Sequence, residues 1–354
     1  MKVGIIGKGR NFDLHVLGYL ENNDTDLVAF SNISTDKATT TIEKFNIDNN
    51  VEIYTDYKGM IKNERLDLIE ILLPGQYHAE VTDYGAKKGV KGISVDKPIA
   101  LSLKDAEQMI QVCKKNNVTL SIYENFYFAP HIQRAKSLVD NDYIGEPTSI
   151  RIKTALGGEN GYKLQESSSE QDSLIMVDIG WHSFALASLF FKEKIRKVFA
   201  WNDEYQGLEA PAYVMFQYEQ TEKHPVPQYG NFEFSYMPKM KIPSNYYPID
   251  EFIEIIGTRG LMKINQVTSI GNAMTESEAF DPLIIVRDGK VESYDDFPND
   301  WKNSFINATQ HFISAVKGEA RPILDGQTAK EILKFNLAAI QSSQKGLEIH
   351  LNEK

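Results

Sequence analysis

Lys2-Val3-Gly4-Ile5-Ile6-Gly7-Lys8-Gly9-Arg10-Asn11-Phe12 stands at the head of the chain, and its reading decides the fold. Lys2 to Ile6 is a short apolar run that predicts a strand. Gly7-Lys8-Gly9 is a turn, and the spacing from Phe12 to Leu20 predicts a helix. Leu27 to Phe30 follows as a second strand. Strand, glycine turn, helix and strand within about 30 residues make a mononucleotide-binding unit. Such a turn aims backbone N–H groups at a helix N-terminus, where a pyrophosphate can sit. Gly7, Gly9, Arg10, Asn11 and Phe12 are the candidates for that role. Phe12 takes the place of the third glycine of G-x-G-x-x-G, the one that allows close helix–strand packing.

The residue closing the second strand is ordinarily an acid that grips the adenosine ribose. Here it is Asn32, which can bond a hydroxyl and carries no charge to repel a 2′-phosphate. Arg10, Ser34, Thr35 and Lys37 can bind such a phosphate, so NAD and NADP both stay open as the cofactor.

Strands and helices keep alternating. A short helix is expected over 56–61, a buried strand over 67–72, helix 76–88, strand 91–95, helix 102–115 and strand 118–123. This alternation implies a doubly wound parallel sheet covered on both faces, a Rossmann domain over residues 1–123. Pro74 and His78 fall in the loop and helix start after one strand and, with Asp96 and Lys97, are candidate cofactor contacts, His78 on the nicotinamide side. Asp96-Lys97-Pro98 follows another strand, and Pro98 blocks its continuation. Ligands of open parallel sheets bind at that carboxyl edge. A lysine fixed there can donate or accept a proton when its surroundings tune it.

From residue 124 the pattern changes, and residues 124–354 read as an α+β domain with a large open, mostly antiparallel sheet. Strands are expected over 196–202, 211–219, 229–237, 251–257, 260–265, 283–287 and 290–294. Gly257-Thr258-Arg259-Gly260 and Asp288-Gly289 mark hairpin turns. Helices 301–317 and 326–345 follow. One sheet face is expected to pack on helices and the other to be an oligomer interface. An apolar helix is expected over 173–191, with Asp178 and His182 at i, i+4 on one face. A carboxylate so placed can orient an imidazole and fix its tautomer. Two polar residues in so apolar a segment need a polar destination.

The bulk composition removes several classes of function. A formal charge of −11 and no basic stripe argue against a nucleic-acid binder. No apolar run is long enough to span a bilayer, and no signal peptide precedes the first strand. The one cysteine, Cys113, permits no disulfide and fits a reducing cytoplasm. Seven scattered histidines show no metal-ligand spacing, so no metal is expected.

Together these stretches resemble the Gfo/Idh/MocA family of NAD(P)-dependent oxidoreductases. The likeness rests on Val3–Gly9 with His15, Tyr54–Tyr57, Leu73–Val81, Asp96-Lys97-Pro98, Asn125–Pro130 with Gln133, Ile144–Pro147, Asp178–His182 and Gly257–Gly260. It spans nearly the whole chain, and it implies a homodimer or homotetramer joined through the C-terminal sheet. The family's Glu-Lys-Pro maps onto Asp96-Lys97-Pro98, one methylene shorter at its acid. By resemblance Lys97 contacts the nicotinamide ribose and the reacting oxygen, and the peptide before Pro98 is cis. His182 is the acid/base, and Asp178 orients the substrate or the lysine. Substrate contacts are expected from Lys97, Asn125, Tyr127, Tyr162, Asp178 and His182. Tyr127 stands where many members carry arginine. The substrate class implied is a sugar, cyclitol or related polyol, with Tyr162, Lys163 and Gln165 in the polar loop covering it. Two alternatives on the same fold are a redox-neutral, NAD-dependent glycoside-cleaving enzyme and a non-catalytic dinucleotide sensor.

Overall fold

The computed structural model describes residues 1–9, 11–32, 35–47, 51–157, 175–205, 210–222, 224–240, 242, 249–265, 281–298 and 300–351. They form two compact units. The first comprises Met1–Asn125 with Ser304–Leu333, the second Phe126–Asn303 with Lys334–Lys354.

The first unit is built on six parallel strands. They are β1 (Lys2–Ile6), β2 (Asp26–Ser31), β3 (Glu52–Tyr54), β4 (Leu68–Ile71), β5 (Gly92–Asp96) and β6 (Thr119–Tyr123), in the order β3-β2-β1-β4-β5-β6. This is the doubly wound order, reversing beside β1. Helices α1 (Phe12–Leu20), α2 (Thr35–Phe45), α3 (Tyr57–Glu64), α4 (His78–Lys87) and α5 (Leu103–Lys115) connect the strands. The central strands are buried on both faces; all four residues of β4 are buried, and Leu68, Ile69 and Ile71 are aliphatic. Asp56 caps α3 by accepting from the Lys58 and Gly59 amides, and Ser102 caps α5 through the Asp105 amide. β3 and α2 were not expected from the sequence. β3 is only three residues long, and α2 is polar throughout most of its length.

The second unit begins with α6 (Pro130–Asp140), β7 (Pro147–Gly157), α7 (Gly180–Phe190) and β8 (Ile195–Asn202). Strands β9 (Ala212–Tyr218), β10 (Tyr229–Met237), β11 (Ile249–Gly257), β12 (Gly260–Asn265), β13 (Leu283–Arg287) and β14 (Lys290–Tyr294) follow. Helix α8 (Lys302–Val316) belongs from Ser304 to the first unit, as does α9 (Gly326–Lys345) as far as Leu333; the rest of α9 and a last short strand, β15 (Ile349–His350), belong to the second. The strands make one nine-stranded sheet, β14-β13-β12-β11-β7-β10-β9-β8-β15, antiparallel except between β7 and β10. Asp288 and Gly289 both have positive φ, which gives the β13–β14 hairpin the twist-matched turn.

Strict alternation divides this sheet. β9 buries Val214, Phe216 and Tyr218 and exposes Tyr213 and Met215. Phe184 of α7 and Phe335 of α9 close over the inner face. Their ring centroids lie 4.6 Å apart, and Phe335 sits 4.9 Å from Phe216. A buried phenylalanine that joins this many rings leaves a cavity when removed. Phe335→Ala is expected to cost about 3–5 kcal/mol, read as a lower denaturation midpoint with an unchanged m-value.

One expected element is shorter. Helix 173–191 reduces to α7 from Gly180, with residues 175–179 forming turns before it. The Gly180 amide donates to the Ile175 carbonyl at 2.8 Å, which closes a turn wider than an α-helical one. A Cβ at Gly180 would come within 3.0 Å of that same oxygen. Asp178 therefore sits in the turn and His182 in the first turn of the helix, so they do not share a regular helical face.

Candidate active site

In the first unit the candidate residues follow the carboxyl ends of parallel strands and so gather along one sheet edge. Gly7 ends β1 with φ +89°, and a Cβ there would lie 2.6 Å from the Leu72 carbonyl oxygen. Only glycine fits. At Gly9 a Cβ would meet nothing closer than 3.6 Å, so the backbone beyond the turn is open. The Phe12 amide donates to Gly9, and the amides of Leu14 and His15 to Asn11. This is the turn-to-helix geometry of an anion cradle. The Phe12 side chain is buried, edge-to-face on Phe30 with centroids 5.2 Å apart. Its bulk points into the core, and its backbone remains at the helix start.

Around the turn, Lys8 Nζ lies 3.3 Å from Thr41 Oγ1 and 5.3 Å from the Phe12 ring centroid. Thr41 and Lys44 of α2 both donate to Asp13 of α1. Burial opposes ionisation of Asp13, but these hydrogen bonds outweigh it and hold the carboxyl below its ordinary range. Asn32 follows β2, and its amide donates to Tyr54 of β3 at 2.9 Å. Arg10 and Ser34 lie outside the described residues.

At β4 and β5, Pro74 opens the loop, and His78 begins α4 fully buried. One ring nitrogen of His78 faces the Leu73 carbonyl at 2.6 Å. The other faces the carbonyls of Pro98 at 3.0 Å and Ile99 at 3.2 Å. Both nitrogens are thus committed to backbone, and His78 ties the loop after β4 to the loop after β5. The Lys97–Pro98 peptide is cis. Asp96 Oδ1 accepts from the Lys97 amide at 2.9 Å, which leaves the lysine side chain half-buried between Val95 and the buried Pro98-Ile99-Ala100. After β6, Asn125 donates to Ser304 at 3.0 Å and is buried, and Glu124 beside it is fully buried.

In the second unit His182 is half-buried while Trp181, Ser183 and Phe184 around it are buried. Its ring stacks on Phe126, with centroids 3.9 Å apart and planes 6° from parallel. The Tyr127 hydroxyl donates to the Ala185 carbonyl at 2.7 Å. Tyr127 is only 1% exposed, so it fastens α7 and turns no hydroxyl outward. Asp178 is half-buried in the turn before α7. Tyr162, Lys163 and Gln165 lie outside the described residues.

Sequence reasoning named His15 only as part of the likeness, and missed Glu124 and the buried residues grouped with His15, namely Tyr19, Glu70 and Tyr123. An isolated acid inside an aliphatic strand such as Leu68-Ile69-Glu70-Ile71 was the available signal. Among the described residues no group of three or more His, Cys, Asp or Glu could hold a metal ion, and no helix is long and apolar enough to cross a membrane.

Comparison with known proteins gives one picture along the chain. Residues 1–124 match the model of the oxidoreductase family with the NAD-binding Rossmann fold, and residues 132–263 match the GFO/IDH/MocA C-terminal domain. Myo-inositol 2-dehydrogenase of Thermotoga maritima is 23% identical over 360 residues, covering 100% of this chain and 99% of its own. D-apiose dehydrogenase of Paraburkholderia graminis is 26% identical over 197 residues, 55% of this chain and 51% of its own. The crystal structure of scyllo-inositol dehydrogenase from Lactobacillus casei with bound NAD(H) and scyllo-inositol has a TM-score of 0.77 at 18% identity. It covers 100% of this chain and 99% of its own.

Cys113 belongs to none of this. Burial pushes its thiol up to about 12. It is expected to stay unmodified by a disulfide reagent at pH 8 and to react at once in denaturant. Rapid labelling of the folded protein would contradict the burial.

Proposed function

The chain belongs to the Gfo/Idh/MocA family of oxidoreductases, and from that membership we propose that it transfers a hydride between a nicotinamide and the carbinol carbon of a sugar, cyclitol or related polyol. The observation that carries the reading is the exposure of two side chains. Lys97, with Asp96, is partly open between the buried Val95 and Pro98 at a strand end, and His182 is partly open between the buried Trp181 and Ser183 in a helix's first turn. Ionisable groups kept at such places at a cost in burial mark sites of chemistry.

The glycine turn fits a dinucleotide, since Gly7 allows the tight turn against Leu72 and the surroundings of Gly9 stay open to a ligand's approach. NAD or NADP supplies the hydride acceptor in oxidation and the donor in reduction. Asn32 leaves the choice between them open. Asp96 fixes the Lys97 amide, and His78 fixes the carbonyls that follow it. The main chain at Lys97 is thereby held on both sides.

In oxidation the carbinol C–H leaves with its electron pair, the O–H bond gives up its proton, and a C=O bond forms. His182 takes that proton. Stacking on Phe126 fixes the plane of the ring, which makes the transfer direction reproducible. Lys97 hydrogen-bonds the same oxygen, and Asp178 orients substrate beside it. In reduction the charge on Lys97 meets the negative charge that develops on the carbonyl oxygen, a bond strongest in the transition state. Asn125 is assigned to the substrate side as well.

The outer face of the second sheet supports assembly of identical copies. Register aligns Trp201 with Tyr213, and Tyr229 with Ser149 and Ile256, along one face. Trp201 and Tyr229 are each 51% exposed, beside a concavity of about 380 Å³. A patch of this kind marks a protein interface. Light scattering is expected to give a dimer or tetramer, and Trp201→Glu with Tyr229→Glu to give monomers; a wild-type monomer would end this assignment.

Titration with NADH and NADPH followed by a sugar and polyol oxidation screen tests the activity. Lys97→Met and His182→Ala are expected to cut turnover by about 10²–10⁴-fold, with circular dichroism unchanged. Near-normal kcat in either variant would remove that residue from its role. Binding of dinucleotide without net NADH formation on any polyol would set aside simple dehydrogenation.

A further inference from the structure

The parallel sheet of the first unit carries polar side chains in a row where aliphatics are the rule. Glu70 of β4 lies in register with Ser94 of β5, and Ser94 with Ser121 of β6. Glu70 is fully buried. Its Oε1 lies 3.0 Å from His15 Nδ1, and its Oε2 accepts from the Tyr19 hydroxyl at 2.5 Å. His15 is 2% exposed, with its ring 4.2 Å from Tyr123 and 5.1 Å from Phe305. The Tyr123 hydroxyl donates to the Phe305 carbonyl at 2.8 Å.

A carboxylate removed from water must be given donors, or it costs several kcal/mol. Both side-chain donors to Glu70 come from α1, at positions i and i+4. The acid's requirement therefore fixes both the rotation of α1 and its height above the sheet. His15 lies one turn from the helix start, and that start carries the N–H groups of the phosphate cradle. Phe12 occupies the place where a third glycine would let helix and strand approach. Close approach comes instead at Gly18, where a Cβ would lie 2.3 Å from Thr309 Oγ1. That contact holds the far end of α1 against α8, so the near end depends on another tether.

We propose that Glu70 and His15 are positioning residues for the dinucleotide, whose buried pair sets the first turn of α1 and the aim of its N–H groups at the pyrophosphate. Tyr19 holds the same carboxylate one turn further along and belongs to the helix's stability. This assignment rests on the dinucleotide reading of the glycine turn, and it applies to either NAD or NADP.

The test uses the full chain and its Glu70→Gln, His15→Asn and Tyr19→Phe variants. Each is titrated with NADH and NADPH by fluorescence, with ADP-ribose and adenosine as competitors, and melted without ligand. Glu70→Gln and His15→Asn are expected to weaken NADH and ADP-ribose by at least about tenfold, with adenosine unchanged because it carries no phosphate. Tyr19→Phe is expected to lower Tm while leaving the NADH affinity within about twofold of wild type. If Glu70→Gln does not fold, His15→Asn against Tyr19→Phe carries the comparison. NADH affinity within about twofold of wild type in Glu70→Gln and His15→Asn overturns the proposal. So does an equal loss in Tyr19→Phe, or a matching loss for adenosine, which would mark general destabilisation. A wild-type protein that binds neither dinucleotide fails at the earlier step and removes the dinucleotide reading itself.

Discussion

The approach of the Gly7 α-carbon to the Leu72 carbonyl is the constraint on which the first unit's geometry depends. A side chain at Gly7 would collide with backbone, which cannot yield as a flexible side chain can. The Gly7 amide donates to Ser31 and the Leu72 amide to Ile6, each at 2.7 Å. The ends of β1, β2 and β4 are thereby tied together at one edge. With those three ends fixed, α1 leaves in one direction, Asn32 closes β2, and the loop with Pro74 starts at a set height. His78 then carries that placement to the Pro98 loop through backbone carbonyls.

The second unit reaches order by a different route. Its inner sheet face is a mesh of aromatic rings in which Phe184, Phe216, Phe232 and Phe335 touch one another edge to face or tilted. α7 is apolar nearly all round and is held by Tyr127 as well as by packing. His182 is the exception on that helix. Its partial exposure and its stacking on Phe126 set it apart from a core residue. Both units thus put a chargeable side chain where an otherwise apolar element ends or begins.

Much of this was legible in the sequence because it follows from periodicity and turn chemistry. The doubly wound alternation, the hairpin at Asp288-Gly289 and helix α9 each have a local cause. α2 and β3 lacked one, since a polar helix and a three-residue strand owe their existence to neighbours. The sequence places the start of α7 too early because Ile175, Met176, Val177 and Ile179 extend the apolar run, while the Gly180 amide reaches back to Ile175 in a wider turn. Motif and resemblance single out Lys97 and His182. The Glu70 layer was not found, because a single acid in a strand says nothing of the two donors four residues apart on another element. His78 is expected at the ligand from its position, and Tyr127 from the resemblance. Their hydrogen bonds to backbone carbonyls become visible only with the chain folded.

The first unit is not continuous along the chain. Its core includes Phe312 and Ile313 beside Val3, Ile5 and Leu68, and the Leu324 carbonyl accepts from the Ile122 amide. Synthesis therefore delivers β1 to β6 and then the 178 residues from Phe126 to Asn303 before that core can close. At about 5–20 residues per second the interval is roughly 10–40 s. Through it the Glu70 layer lacks its α8 cover. The second unit waits as well, since Lys334–Lys354 supply Phe335 and the edge strand β15. Neither unit is complete until residues 304–351 have left the ribosome, so a chaperone that shields unfinished apolar surface has a long window in which to act.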